Sequence, residues 1–484
     1  MHLSKKNNFF PISQLEFFYK KYPNNIAVTT NETSFTYQEF FEYCVGFSKI
    51  VKKNSKVIII DDNKAFSYIA MFGCLMAQCV YIPISSNQPD NRILDIIKLS
   101  KADYIFCINK NFLKKNRLLK KWITFADIKK NKNTKNLFIS NFNKIAYIIF
   151  TSGSSGKPKG VKISMGSLDH YVRWIVDFMK VKPGEKCSQF APLGFDLSVA
   201  DTYLSLCSGA KLYPIENVFD KLFPAKFIKK NKINYLICVP STIDVMSNSN
   251  SLKYNYLKSL KKIFFCGETL LKSHVNLLVK CHPKVILTNT YGPTEATVSC
   301  TYLNITKKNY KKYTKSEASI GRPIRNMKIF LVENGKVNTR KGEIYIKGPQ
   351  VGAGYMDRKN NLNKFIKKNT FRTGDYAEYI KNDLYFIGRK DKQIKLNGFR
   401  IELTEIEELI KNNLKVKNCI CMFDDRKIYL FIQTNKKYDE KKIQIDIQKH
   451  LPYYMVPSKI LFFKSFPLSI NGKIDNKKLL KLIN

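Results

Sequence analysis

At 484 residues, 44% hydrophobic and 25% charged, the chain holds enough apolar material for several domains' worth of core and reads as a soluble globular protein. Its formal charge of +45 suggests nucleic acid first, but the lysines are spread among Asn, Ile, Phe and Tyr with no aromatic–basic interleaving or recognition-helix pattern, so nucleic acid is not the expected partner and a basic face for an acidic protein stays open. Twelve cysteines without a CxxC and five histidines without metal spacing argue against structural zinc and predict a reduced, cytoplasmic protein, and no GxSxG elbow marks a hydrolase.

The amino end, Met1-His-Leu-Ser-Lys-Lys-Asn-Asn8, has no apolar h-region, so no signal peptide is expected. Short β runs then alternate with helical stretches, as α/β folds do: strand at 57–60, helix at 65–77, strand at 79–82. The apolar run 68–84 carries Gln78 and Pro83 and is shorter than the roughly twenty residues of a span, so it predicts a buried helix entering a strand, with no membrane insertion. A strand follows at 104–108, a loose polar loop at 129–136 and a strand at 145–150. That strand opens onto Thr151-Ser152-Gly153-Ser154-Ser155-Gly156-Lys157-Pro158-Lys159-Gly160. Backbone N–H groups and hydroxyls of such a loop can wrap a polyphosphate. It is not a Walker loop, because Lys157 is followed by Pro158 and not by Ser or Thr. The plain alternative is a flexible surface loop.

Next comes Phe195-Asp-Leu-Ser-Val-Ala-Asp201. Asp196 precedes a helical run and is either its N-cap or a carboxylate turned into a pocket to hold an ammonium. Strands are expected at 235–239 and 262–265. The second breaks at Phe264-Phe-Cys-Gly-Glu-Thr269, where Gly267 offers bare backbone to a planar ring. After a strand at 285–287, Asn289-Thr-Tyr-Gly-Pro-Thr-Glu-Ala-Thr-Val298 presents Tyr291 for stacking, a hydroxyl at Thr294 and a hard oxygen ligand for Mg²⁺ at Glu295. Shorter strands are expected at 328–332, 342–347 and 384–387. Between them Phe371-Arg-Thr-Gly-Asp375 puts a carboxylate where it can take both hydroxyls of a ribose. Beyond Gly388 a new amphipathic unit begins: helix 402–414, strands 419–423 and 427–434, helix 443–450. In the first of these strands Cys419 and Cys421 point the same way and read as core. Asn471-Gly-Lys-Ile-Asp475 places Lys473 on a turn, where a lone lysine is ordinarily solvated surface.

Taken in this order, from about residue 15 to 484, the segments resemble the ANL superfamily of adenylate-forming ligases, which includes the adenylation domains of nonribosomal peptide synthetases. Within it, 195–198, 265–268 and 289–298 are most similar to the members that load D-alanine onto a carrier protein. The resemblance implies an α/β fold. A large N-terminal domain, 1–388, would have layered α/β subdomains and a small β-barrel-like part. A small mobile α+β domain, 389–484, would hinge near Asp391. It implies ATP contacts from Thr151, Ser152, Gly153, Ser154, Ser155, Gly156, Lys159, Gly267, Glu268, Asn289, Thr290, Tyr291, Gly292, Thr294, Asp375, Arg389 and Lys473. It assigns Mg²⁺ to Glu295, the ribose to Asp375 with Arg389 beside it, and catalysis to Lys473, Glu295 and Thr294. The amino acid pocket would be Asp196, Leu197, Ala200, Thr242, Phe264, Cys266, Thr290, Val298 and Ser299, with Asp196 on the amino group and Cys266 influencing stereochemistry. Both plain readings, Asp196 as cap and Lys473 as surface, give way to these roles.

The implied reaction is attack of a small amino acid's carboxylate on the α-phosphorus of ATP, then transfer to a phosphopantetheine thiol. The chain ends shortly after Lys473, so an acidic carrier is expected as a separate protein, or else coenzyme A as the acceptor. The rivals are another small amino acid as substrate and an acyl-coenzyme A ligase, for which Asp196 would have no use.

Overall fold

The computed structural model describes residues 8–60, 65–107, 110–118, 122–131, 141–153, 156–338, 340–367, 369–416, 418–467 and 474–483. The chain forms two compact units. One holds residues 1–86, 100–149 and 160–390, the other 87–99, 150–159 and 391–484.

The first unit is built on three sheets. The largest has the order Arg322–Pro323, Thr301–Ile305, Ile286–Tyr291, Lys262–Phe265, Tyr235–Cys238, Lys186–Gln189, Lys211–Pro214, Ile26–Thr29, Ser34–Thr36. Its strands pair in parallel from Ile286–Tyr291 through Ile26–Thr29 and antiparallel at both ends. Central strands of this kind are covered on both faces, which is why they read as unbroken apolar runs. Phe264 enters a buried cluster with Tyr171 and Leu197, while its neighbours Ile263 and Phe265 enter another with Leu236 and Leu278. A second sheet, with parallel pairing around Lys56–Ile60, has the order Trp122–Ile123, Tyr104–Cys107, Lys56–Ile60, Val80–Ile84, Ile145–Thr151, Lys159–Ser164. Helix Ala65–Met76 is buried along its length and leads, as expected, into Val80–Ile84. The third sheet is antiparallel and runs from Lys328–Glu333 to Asp383–Arg389. The layered α/β architecture is thus the one expected.

Two local expectations need correction. The strand expected at 285–287 is Ile286–Tyr291, because Thr301–Ile305 pairs back along it as far as Tyr291 against Thr301. The polar tract at 129–136 begins as the end of a helix, Phe125–Lys130, nucleated by a capping box between Thr124 and Asp127. Residues 132–136 of that tract lie outside the described residues.

The elements that position the site are, in chain order, strand β1 (Ile145–Thr151), strand β2 (Lys186–Gln189), helix α1 (Leu197–Leu206), strand β3 (Lys211–Pro214), helix α2 (Val218–Leu222), strand β4 (Tyr235–Cys238), helix α3 (Ser241–Asn248), strand β5 (Lys262–Phe265), strand β6 (Ile286–Tyr291), strand β7 (Thr370–Ile380), strand β8 (Asp383–Arg389) and helix α4 (Leu403–Leu414). Strands β2 to β6 run parallel, so their C-terminal ends share one edge of the sheet, where ligands of open α/β sheets bind.

In the second unit α4 packs on a three-stranded sheet of Asn418–Asp424, Lys427–Gln433 and Lys459–Phe463. Cys419 and Cys421 are buried in that core, as expected. Every cysteine is a free thiol. Among the described residues no helix is long and apolar enough to cross a membrane.

Candidate active site

Asp196 stands at the N-cap position of α1 with helical φ and ψ, and its side chain makes no cap bond. The cap reading therefore fails: a carboxylate spent on capping would accept from the helix N–H groups. Two fully buried tyrosines sense its charge. Burial first, then the charges of Tyr81 and Asp196, raise the Tyr147 hydroxyl well above its ordinary value. Burial again leads for Tyr171, whose neighbours include Cys266, Asp196 and Asp201. Tyr171 shares a 3.4 Å hydrogen bond with Ser299, and among the described residues the Tyr147 hydroxyl has no partner. One turn along α1, Asp201 accepts the Phe190 N–H at 3.1 Å, and burial raises its carboxyl strongly. It anchors the segment after β2 that leads to Asp196.

Most of the apolar residues expected to line a side-chain pocket are buried together. Leu197, Ala200, Phe264, Cys266 and Val298 lie in one buried cluster, and the Cys266 thiol reaches the Val298 carbonyl at 3.5 Å. Thr290 is buried at the end of β6, but its hydroxyl is bound to the Phe265 carbonyl at 2.8 Å. Thr242 is buried in the first turn of α3. Glu268 accepts the Ser241 N–H at 2.9 Å there, which fixes α3 to the turn after β5 that holds Gly267.

The segment between β6 and Thr301 folds back tightly. Thr294–Ala296 forms one 3₁₀ turn, and Thr297 and Val298 both have positive φ, 54° and 70°. Two β-branched residues in succession in the left-handed region carry strain, a condition that collects at functional sites. The Thr297 hydroxyl on the Gln350 carbonyl (2.7 Å) and the Gly352 N–H on the Glu295 carbonyl (2.8 Å) hold the turn. Gly292 is required here, since a Cβ would stand 2.5 Å from Ser299 Cα and 2.7 Å from the Val298 oxygen. The turn buries the Glu295 carboxylate completely, with Tyr355 donating to it at 2.6 Å. Thr294 beside it is buried as well.

A second corner is made by strands that pair side by side. Asp375 on β7 faces Arg389 on β8 across the ladder, and the two form a buried ion pair. The Tyr291 hydroxyl, at the end of β6, donates to the other Asp375 oxygen at 2.6 Å. Tyr291 was expected to offer its ring; its hydroxyl positions Asp375. Asn289, two residues earlier on the same face, spends its amide N–H on the Ser319 carbonyl.

The hydroxyl-rich loop belongs to the second unit. It closes through the Gly156 N–H on the Gly153 carbonyl at 3.1 Å, and a side chain at Gly153 would collide with the Lys157 carbonyl. Ser152 donates to the Arg400 carbonyl at 2.8 Å, and the Gly153 N–H points at Glu405 of α4 at 3.3 Å. Glu405 is in turn ion-paired with buried Arg92 at 2.7 Å. One backbone N–H of the loop thus meets a carboxylate oxygen, and its serine hydroxyl meets a carbonyl. Thr151 ends β1, Lys159 begins the next strand, and Asp391 accepts the Gln393 N–H. Ser154, Ser155 and Lys473 lie outside the described residues. Tyr147, Tyr171 and Tyr355 were missed by sequence reasoning. Only Tyr147 carried a signal, its place in the strand that feeds the loop.

The chain belongs to the AMP-binding enzymes, whose family pattern covers residues 15–356. A D-alanine--D-alanyl carrier protein ligase of Staphylococcus epidermidis is 31% identical over 506 residues, covering 98% of this chain and 99% of that protein. The protein of the same name from Staphylococcus aureus (strain MRSA252) is 32% identical over 495 residues with the same coverage. The adenylation domain AlmE of Vibrio cholerae, solved in complex with glycyl-adenosine-5'-phosphate, has the same fold: TM-score 0.86, 23% identity, 100% of this chain and 99% of that one.

Proposed function

We propose that this AMP-forming ligase activates a small amino acid, D-alanine foremost, as an aminoacyl-adenylate and passes it to the phosphopantetheine thiol of a separate acidic carrier protein. The observation that carries the reading is Asp196: a carboxylate that does not cap its helix and whose charge is felt by the buried hydroxyls of Tyr147 and Tyr171, the latter also neighbouring Cys266, which is buried with Phe264 and Val298. Such a place suits an ammonium with a methyl group next to it, and the names of the staphylococcal relatives point to the same substrate.

Joining a carboxylate to a triphosphate brings two anions together, so charge neutralisation and positioning are the main needs. Asp196 holds the ammonium. Asp375, fixed by Arg389 and Tyr291, takes the ribose. Thr151, Ser152, Thr294 and the loop N–H groups orient the phosphates, and Lys473 supplies a cation at the reacting phosphate. Mg²⁺ suits the donor set of a buried Glu295 carboxylate and the Thr294 hydroxyl, since that ion needs only one or two protein oxygens beside phosphates and water. Bound there, it would neutralise phosphate charge. The carboxylate oxygen attacks the α-phosphorus and pyrophosphate leaves. In the second step the thiol attacks the acyl carbon and AMP leaves. Movement of residues 391–484 about Asp391 would withdraw Lys473 between the steps. An ATP-dependent enzyme with free thiols suits the cytoplasm.

ATP–pyrophosphate exchange across D-alanine, L-alanine, glycine, serine, β-alanine and propionate tests this. Exchange should be fastest with D-alanine and on the order of 100-fold or more slower with propionate. Exchange confined to acids without an amino group would refute it.

A further inference from the structure

Helix α2 buries none of its side chains: Val218, Phe219 and Leu222 are 72%, 55% and 55% exposed. Adjacent large apolar side chains left in water mark a contact surface. Val218 and Leu222 lie four residues apart on one face, and Phe219 and Phe223, also four apart, hold their rings 4.8 Å apart. The rim is cationic. The Lys226 ammonium stands 5.5 Å from the Phe219 ring and 4.5 Å from the Phe223 ring, and Lys229 and Lys230 are exposed on the next helix. The two acids beside the patch are engaged within the protein. Glu216 accepts the Asn31 N–H at 2.6 Å, and Asp220 accepts from the Asn217 side chain at 2.9 Å. Asn217 also caps α2 through the Asp220 N–H at 2.7 Å, and Pro224 begins the next helix at once. The patch is therefore held in shape before any partner arrives.

Its place in the fold gives it a use. α2 follows the C-terminal end of β3, at the edge of the sheet that also carries Thr242, Cys266 and Tyr291 after or at the ends of β4, β5 and β6. Strand β3 lies three pairings from β5, by way of β2 and β4, a lateral distance of roughly 14 Å at the usual strand spacing. A second copy of the chain is a poor occupant, because two molecules of charge +45 repel. An apolar centre ringed by lysines matches a protein surface with an apolar centre and an acidic ring.

We infer that α2, with Phe219 and Leu222 at its centre and Lys226 on its rim, is a docking surface for the acidic carrier protein. This rests on the proposed transfer to a carrier. The test compares the wild-type enzyme with Phe219→Ser/Leu222→Ser and with Lys226→Glu, using phosphopantetheinylated carrier and, separately, free pantetheine as acceptors. Both variants should raise the KM for carrier tenfold or more, while pyrophosphate exchange and transfer to pantetheine stay within twofold. The effect of Lys226→Glu should shrink as salt rises. A carrier KM within twofold of wild type in both variants overturns the inference and leaves the transfer reading intact. Failure of the wild type to load any carrier removes the transfer reading and the inference with it. Loss of exchange in the variants, a wild-type dimer that the double variant dissolves, or patch-dependent binding to phosphatidylglycerol vesicles would also overturn it.

Discussion

Replacing Asp196 by Asn isolates the electrostatic core of the account. The change is isosteric, and the side chain makes no cap bond to α1, so it removes one charge while leaving the helix end intact. A carboxylate and a substrate ammonium about 4 Å apart attract by about 4 kcal/mol at an effective dielectric near 20, and by less where water reaches them. Asp196 is partly exposed, so about 2 to 4 kcal/mol is the expected loss, or roughly 30- to 1,000-fold in kcat/KM for D-alanine. The neutral amide should carry no corresponding penalty for propionate. The assay is pyrophosphate exchange with the acid varied at saturating ATP, beside a thermal melt. A loss below threefold for D-alanine in a folded variant would refute the assignment. So would an equal loss for both acids.

Three further outcomes follow from the same geometry. Gly292→Ala places a methyl against Ser299 Cα and the Val298 carbonyl; the strained turn must shift, and exchange should fall by on the order of 100-fold in a folded protein. Lys473→Ala should abolish pyrophosphate exchange yet retain thioester formation from supplied aminoacyl-adenylate, and equal loss of both steps would contradict its role. Lys262→Met should stabilise the protein near neutral pH. Burial, then Lys180, lowers the Lys262 ammonium from 10.5 to about 8. Its charged form is therefore penalised in the fold below pH 8, and the penalty disappears as pH rises to 10.5, where the unfolded chain also loses the proton. The wild type should gain up to about 3 kcal/mol across that window relative to the methionine variant. Parallel stability curves from urea melts would show the reasoning wrong.

Local chemistry was legible in the chain, and long-range placement was not. Lys262–Phe265 and Lys56–Ile60 announce themselves because strands covered on both faces must be apolar throughout. Asp375 could be suspected of holding a ribose, but its partners arrive from β6 and β8 through sheet register, which no local pattern encodes. The extension of β6 to Tyr291 depends on a strand that begins ten residues later. Asp196 shows the limit most plainly. Its position before a helix predicts a cap, and only the observed backbone, with helical φ and ψ and no cap bond, shows that the carboxylate does not serve as one. Tyr355 gave no signal at all, since its contact with Glu295 spans sixty residues of sequence.

The acyl-adenylate itself is open to direct test. With alanine carrying ¹⁸O in its carboxylate, a full turnover onto the carrier should yield AMP bearing one heavy oxygen, detected by mass spectrometry. Unlabelled AMP, or heavy oxygen released in inorganic phosphate beside ADP, would contradict the account.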